Sequence, residues 1–360
     1  MNAPLRVLEI VTVPISTNGL ALYPIRMAER MDDRVQVDFL GCSTDPALEK
    51  RIQNMQSKLY SAPSRMRSPI RYMRYVQKIV RKQKYEVVHV HGNSCTLALD
   101  LLAAKLGGAK VRIAHSHNTA CSFPILNTLL RGLFDSVYTH ALACGTEAGK
   151  WLFQGKPFQV MPNAIDTGLF CENAETRVRI RRELEAENRR VLLHIGNFSE
   201  AKNPSFLMGL MEQLPGDCVL WMVGDGALRQ ETERIAQEKR LNVRFLGKRG
   251  DVPDLMQGAD ALLLPSLHEG FPTVALEAQA SGLIALMSEN ITRKVAFSDS
   301  AQFLPLNLNA WLNAIENFPQ SGREERSKAA AAALQKGGYD LKAAAIQLET
   351  NYLNWAKADS

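Results

Sequence analysis

The stretch RVLLHIGNFSEAKNPSFLMGLMEQL (Arg190–Leu214) starts, halfway along the chain, the same order of elements with which the chain begins. It reads as a short apolar strand, Arg190–Ile195, then a small-residue loop, Gly196–Asn203, then a helix opened by Pro204, where a missing N–H costs nothing. The N-terminal counterpart is a strand at Arg6–Val13, a loop at Pro14–Gly19 and a helical stretch at Leu20–Met31. Working outward, Val35–Leu40, Val87–His91 and Val111–His115 read as strands of the first half. Val219–Val223, Val243–Leu246, Ala261–Leu264 and Ile284–Met287 read as strands of the second. Short apolar strands alternating with helices predict an α/β fold with a doubly wound parallel sheet in each half. Ligands of such sheets sit at the carboxyl ends of the strands.

A length of 360 residues suits two domains. The expected division is 1–160, an inter-domain segment 161–188, a second domain 189–323, and C-terminal helices 324–360 that pack back toward the first domain. Hydrophobic residues at 46% and charged residues at 22% exclude a disordered, collagen-like or coiled-coil chain. The net charge of +6 is local: eleven basic residues and no acidic one lie between Lys50 and Lys84, and the other 32 basic residues face 37 acidic ones. The six cysteines form no Cys-x-x-Cys pair, which argues against a zinc knuckle or disulfide framework and fits a reduced, cytoplasmic setting. No basic n-region with an apolar run opens the sequence and no apolar window is long enough to span a bilayer, so neither a signal peptide nor a spanning helix is expected. No helix-turn-helix or aromatic-interleaved module points to nucleic acid.

The chemistry concentrates in PSLHEGFPTVALEAQAS (Pro265–Ser281), which follows a buried strand. Glu269 precedes Gly270-Phe271-Pro272-Thr273, and a helix carrying Glu277 follows. A helix start preceded by glycine offers unpaired N–H groups to an anion. Glutamates eight positions apart occur three times, at Glu175/Glu183, Glu269/Glu277 and Glu316/Glu324, so spacing alone decides nothing. Only the middle pair follows a buried strand and brackets a turn.

This segment resembles the signature of family 4 glycosyltransferases, retaining nucleotide-sugar enzymes of GT-B architecture, in which two Rossmann-like domains face across a cleft. QVMPNAIDTGLF (Gln159–Phe170), HIGNFSEAKNPSF (His194–Phe206), VGDGAL (Val223–Leu228) and FLGKRGDV (Phe245–Val252) match in order and spacing. IAHSHNT (Ile113–Thr119) looks closest to bacterial exopolysaccharide and capsule transferases. The resemblance implies that Glu269 sits near the donor sugar hydroxyls and that Glu277 binds the ribose. It implies that amides from Gly270, Phe271, Pro272 and Thr273 hold the diphosphate and that Lys202 neutralises it. Arg249, Asp251 and Val252 would meet the base, and Gly19 and Asn197 would line the donor site. His117 would lie beside the sugar, so Glu269, His117 and Lys202 form the expected catalytic set. The sequence departs from the family twice: Asn197 stands where an arginine is usual, and Asn18 replaces one of two paired glycines. The first change leaves Lys202 with more of the diphosphate's charge.

The expected activity is retaining hexosyl transfer from a nucleotide-sugar, a UDP-sugar before a GDP-sugar, to a lipid-linked or growing surface glycan. No Asp-x-Asp occurs, so no metal and no cofactor are expected. His89/His91 and His115/His117 form two His-x-His pairs, which read as core histidines before a metal site. Arg67–Lys84 reads as a basic amphipathic helix, with Ile70, Met73, Val76, Ile79 and Val80 on one face. Arg67, Arg71, Arg74, Lys78 and Arg81 form an acceptor or membrane patch on the other, so the protein is expected to be peripheral at the inner face of the membrane. Two readings compete: a 2-epimerase-like or phosphorolytic enzyme of the same fold, and a non-catalytic scaffold of a glycan assembly.

Overall fold

A computed structural model describes residues 3–15, 19–42 and 44–358. The chain forms two compact units. Unit 1 runs to Asn163 and resumes at Leu341, and unit 2 is Ala164–Asp340.

Unit 1 holds a seven-stranded parallel sheet: β1 (Leu5–Val11), β2 (Val35–Gly41), β3 (Leu59–Ser61), β4 (Val87–Gly92), β5 (Val111–Ser116), β6 (His140–Ala143) and β7 (Gln159–Val160). The spatial order is β3-β2-β1-β4-β5-β6-β7. Helices cover both faces, so central strands are apolar at nearly every position, as in Val7, Leu8, Ile10 and Val11 of β1. Glu9 is the buried exception within β1, 1% exposed and paired in register with His89 of β4. The chain order reverses between β1 and β4, which makes their carboxyl ends the switch point where such sheets bind ligands.

Unit 2 holds six parallel strands: β8 (Arg190–Ile195), β9 (Cys218–Val223), β10 (Val243–Gly247), β11 (Ala261–Leu264), β12 (Ile284–Ser288) and β13 (Ala301–Leu304). Their order β10-β9-β8-β11-β12-β13 repeats that of the first six strands of unit 1, with its switch point between β8 and β11. Each unit is therefore Rossmann-like, and the pair is the GT-B set of domains.

Several elements differ from the expectation. The segment expected to join the domains belongs to unit 2 from Ala164 on, because Ile165, Phe170, Ile180 and Ala186 are buried in that unit's core. The two C-terminal helices part company. Arg323–Lys336 stays in unit 2, held by Arg323, whose guanidinium donates to the carbonyls of Met256, Ala259 and Ser281. Leu341–Ala358 packs on unit 1, where Glu349 accepts from Arg34 Nη2 at 2.5 Å and from the Asp32 amide at 3.1 Å. Strands β3, β6 and β13 escaped the sequence reading because they are three or four residues long with half-buried positions.

Candidate active site

In unit 2 two loops leave neighbouring strands at the switch point. The loop after β8 runs from Gly196 to Asn203, and the loop after β11 runs from Pro265 to the helix Thr273–Ala280. The Leu267 amide donates to Ala201 O at 2.8 Å, and Asn203 Nδ2 donates to Pro265 O at 3.3 Å. Across that join the Lys202 ammonium pairs with Glu269 Oε1, while Ser266 Oγ donates to Glu269 Oε2 at 3.0 Å. Both charged side chains are 17% exposed. An ammonium carries three N–H donors, so Lys202 keeps donors beyond the one given to Glu269. Beneath the loops, His194 donates through Nδ1 to Leu263 O at 2.9 Å, which ties β8 to β11. Burial, with Lys202 nearby, lowers the His194 imidazole to about 4.

The loop after β9 closes on the first loop backbone to backbone. Gly224 has φ +135°, and a Cβ there would lie 1.8 Å from Gly196 O. The Phe198 amide donates to Asp225 O and the Leu228 amide to Phe198 O, each at 3.0 Å. Gly224-Asp225-Gly226 is thus a strand-to-helix turn that shapes the Gly196–Asn203 loop.

The helix Thr273–Ala280 begins after Pro272, and its first amides have no acceptor within the helix. Pro272 itself has no N–H, so of the four residues assigned to the diphosphate only Gly270, Phe271 and Thr273 can donate from the backbone. Phe271 stacks on Tyr339 with centroids 5.4 Å apart, and Gly270 is exposed. Glu277 is half-buried on this helix, and Asn197 is exposed with Oδ1 accepting from Ser199 Oγ at 3.1 Å. Arg249 and Asp251 close on each other through two bonds, Nε to Oδ1 at 2.8 Å and Nη2 to Oδ2 at 2.5 Å. That fork holds the Asp251 carboxyl below its usual range. Val252 starts the next helix. Among the described contacts this pair does not touch Lys202 or Glu269. Gly19 starts the helix Gly19–Ala28, and Asn18 lies outside the described residues.

In unit 1 the four histidines expected in two pairs form one cluster. His91 Nε2 meets Glu9 Oε2 at 2.6 Å, and His91 Nδ1 meets His117 Nε2 at 2.9 Å. His89 meets the Tyr352 hydroxyl at 2.5 Å through Nδ1 and His115 Nδ1 at 3.1 Å through Nε2. The Tyr352 hydroxyl donates to Glu9 Oε1 at 2.7 Å. Burial opposes ionisation of Glu9, but the imidazoles of His89 and His91 and their hydrogen bonds overcome it, and the carboxyl sits far below its usual range. Burial lowers His91 to about 4. His89, His91 and His115 place ligand nitrogens within 4.8 Å of one another, a set that could hold a metal ion, although a metal there would displace the hydrogen bonds just described.

The basic helix runs from Pro69 to Gln83, so Arg67 precedes it. Arg67, Arg71, Arg74, Lys78 and Arg81 are exposed, and Arg81 Nη2 donates to Leu106 O at 2.9 Å. Ile70, expected on the packed face, is 67% exposed, and Tyr72 is buried in its place with Val76, Ile79 and Val80. Not every basic residue of the run belongs to the patch: Arg65 pairs with buried Asp100 at 2.8 Å, and Arg51 with Glu29 at 2.7 Å.

The sequence reading missed Glu9, Tyr352 and Ser266. A single glutamate inside the apolar run LRVLEIV was the available signal for Glu9, since a buried charge needs partners. Tyr352 had none, lying 343 residues from Glu9.

Two family models match the chain: "Glycosyltransferase Family 4" over residues 17–169 and "Glycosyl transferases group 1" over 176–309. EpsF of Bacillus subtilis (strain 168), which carries the name of a glycosyltransferase, is 32% identical over 346 residues, 89% of each chain. The UDP-Gal:alpha-D-GlcNAc-diphosphoundecaprenol alpha-1,3-galactosyltransferase of Escherichia coli is 28% identical over 235 residues, 59% of each. Among solved structures, Anabaena HepE in complex with UDP-glucose matches with TM-score 0.77 at 18% identity, over 98% of this chain and 99% of that one. WaaG, a lipopolysaccharide glycosyltransferase, matches with TM-score 0.68 at 18% identity, over 94% and 99%. At such identities the structural likeness speaks for the fold, and the sequence matches carry the family. With its two Rossmann-like units and its match to EpsF over nine-tenths of both chains, this protein belongs to the family 4 glycosyltransferases.

Proposed function

We propose that the protein transfers a hexose from a nucleotide-sugar, a UDP-sugar before a GDP-sugar, with retention and without a metal. The acceptor proposed is a lipid-linked or growing surface glycan. The observation that carries this reading is the Lys202–Glu269 pair at the carboxyl ends of β8 and β11, beside the start of the helix Thr273–Ala280. A departing nucleoside diphosphate gains negative charge, which fixed donors and a cation stabilise. Lys202 and the amides of Gly270, Phe271 and Thr273 supply these from protein alone. Glu269 would face the sugar, Glu277 the ribose, and Arg249, Asp251 and Val252 the base, although the Arg249 fork is already filled by Asp251. The relatives support the class of substrates: the Escherichia coli enzyme's name specifies UDP-Gal and a diphosphoundecaprenol acceptor, and HepE binds UDP-glucose.

Saturation-transfer NMR against a panel of UDP- and GDP-sugars tests the donor. Release of nucleoside diphosphate only when acceptor is present separates transfer from epimerisation or phosphorolysis. Transfer that survives Glu269→Ala would sink the catalytic assignment, and absence of any donor binding would favour a scaffold. The basic helix fits reversible contact with an anionic membrane, at about 1 kcal/mol per basic residue near the surface. Among the described residues no helix is long and apolar enough to cross a membrane. Neutralising Arg67, Arg71, Arg74 and Lys78 is expected to abolish sedimentation with anionic liposomes.

A further inference from the structure

The ring of Phe271 is one end of an aromatic column that the proposed transfer does not itself use. It lies nearly parallel to the Tyr339 ring, at 13° with centroids 5.4 Å apart, and Tyr339 meets Phe297 at 62° and 4.8 Å. All three rings pack on the core of unit 2. Both ends of the column are attached to one helix, Thr273–Ala280. Phe271 lies two residues before its start. Phe297 is fixed from its last turn, where the buried Gln279 accepts through Oε1 from the amides of Phe297 and Ser298, at 2.9 and 3.1 Å. The Gln279 amide nitrogen donates to Ala275 O and Val295 O, each at 2.8 Å, so the side chain has no freedom to turn. Tyr339 closes this brace from outside the helix.

Tyr339 is itself held by the turn that ends the helix Arg323–Lys336. Its amide donates to Leu334 O at 2.8 Å, and its carbonyl accepts from the Ile165 amide at 2.9 Å. Gly337 makes room for the rings: a Cβ there would lie 2.9 Å from Phe297 Cε1 and 3.2 Å from Tyr339 Cδ2. Gly270, by contrast, stands in open space, with nothing within 4 Å of where its Cβ would be. Having no side chain, Gly270 depends on its neighbours to place its amide. On one side Glu269 is fastened by Lys202, by Ser266 and by a β-bridge to Ile291. On the other, Phe271 is fastened by its stack on Tyr339.

We infer that Tyr339 is a positioning residue for the donor: through its stack on Phe271 it fixes the Gly270 and Phe271 amides in the orientation that the diphosphate takes up. This rests on the reading that those amides hold the diphosphate. Donors fixed beforehand need no reordering when the anion arrives, so none of their affinity is spent on it. Without the ring, Gly270 and Phe271 must be ordered at the moment of binding. The loss then falls on the diphosphate, while the nucleoside is bound as before.

Calorimetry of the full chain with UDP and with uridine, well below the melting temperature of each variant, is the test. Tyr339→Ala is expected to weaken UDP about 3–10-fold, the worth of one aromatic stack, and to leave uridine unchanged. The KM for the donor is expected to rise in step while kcat holds, as for a contact made equally before and during transfer. Tyr339→Phe keeps the ring and is expected to bind UDP as the unsubstituted chain does. Gly337→Ala, at an unstrained φ of −77°, displaces Tyr339 and Phe297 without touching the loop, and is expected to weaken UDP in the same way. It takes the place of Tyr339→Ala if that variant does not fold. Unchanged UDP affinity in the folded alanine variant would overturn the inference. So would an equal loss for UDP and uridine, or a loss as large in Tyr339→Phe. If the unsubstituted chain binds UDP no tighter than uridine, the diphosphate reading itself fails, and the role of Tyr339 falls with it.

Discussion

Lys202 pairs with Glu269, and on the proposed reading it would also face the diphosphate of the donor. Removing it does more than delete one attraction, because it leaves the carboxylate facing phosphate unscreened. Lys202→Met is expected to weaken UDP binding by at least 10-fold in calorimetry, whereas Glu269→Gln, which removes the repulsion, is expected to hold or tighten UDP while transfer falls about 100-fold. Equal loss of UDP binding in both variants would contradict the division of roles. His194, under the same loop, gives a pH prediction. Unfolded, its imidazole takes a proton near 6.5; folded, burial and Lys202 delay that to about 4. The unfolded state thus binds the extra proton first. Stability is full above pH 6.5 and declines between there and about 4, by roughly 3 kcal/mol from this residue. His194→Gln should flatten that limb of a denaturant-melt series across pH, and an unchanged slope would refute the assignment. Residues of this kind were legible unequally. Lys202 and Glu269 lie in local motifs whose neighbours explain them. Glu9 is explained by partners far along the chain, among them His91 and Tyr352, 82 and 343 residues away, which periodicity cannot show.

At the scale of elements, the central strands could be read because burial on both faces writes an unbroken apolar run. The edge strands β3 and β13 could not, since half-burial leaves mixed sequence. The basic helix was legible as a helix and in most of its facing, with Val76, Ile79 and Val80 buried as expected; at one position Tyr72 takes the interior in place of Ile70, because its hydroxyl reaches Asp100 at 2.5 Å. The turn after β9 makes the sharpest prediction. At Gly224 a side chain faces both a left-handed backbone and the Gly196 carbonyl, so Gly224→Ala is expected to cost roughly 3 kcal/mol or more. Because the Gly196–Asn203 loop is what must move, UDP binding should fall as well. A variant with normal stability and normal UDP affinity would show that the loop does not depend on this contact.

For the whole molecule, two Rossmann-like units follow from two strand–loop–helix beginnings, yet the boundaries did not. Sequence composition marks where elements stop, while membership in a unit is decided by which core an apolar face enters. The clearest case is the helix Leu341–Ala358, which returns to unit 1 and supplies Glu349 and Tyr352. Ending the chain after Asp340 is expected to lower the melting temperature of unit 1 and make it the first part cut in limited proteolysis, with unit 2 persisting. Loss of both units together, or of neither, would contradict this. The same helix sets an order of events during synthesis. Unit 2 has its whole sequence available once Asp340 has left the ribosome. Unit 1, translated first, waits for the last helix before Glu9 can gain its second partner, so the earliest part of the chain to be made is the latest to be completed.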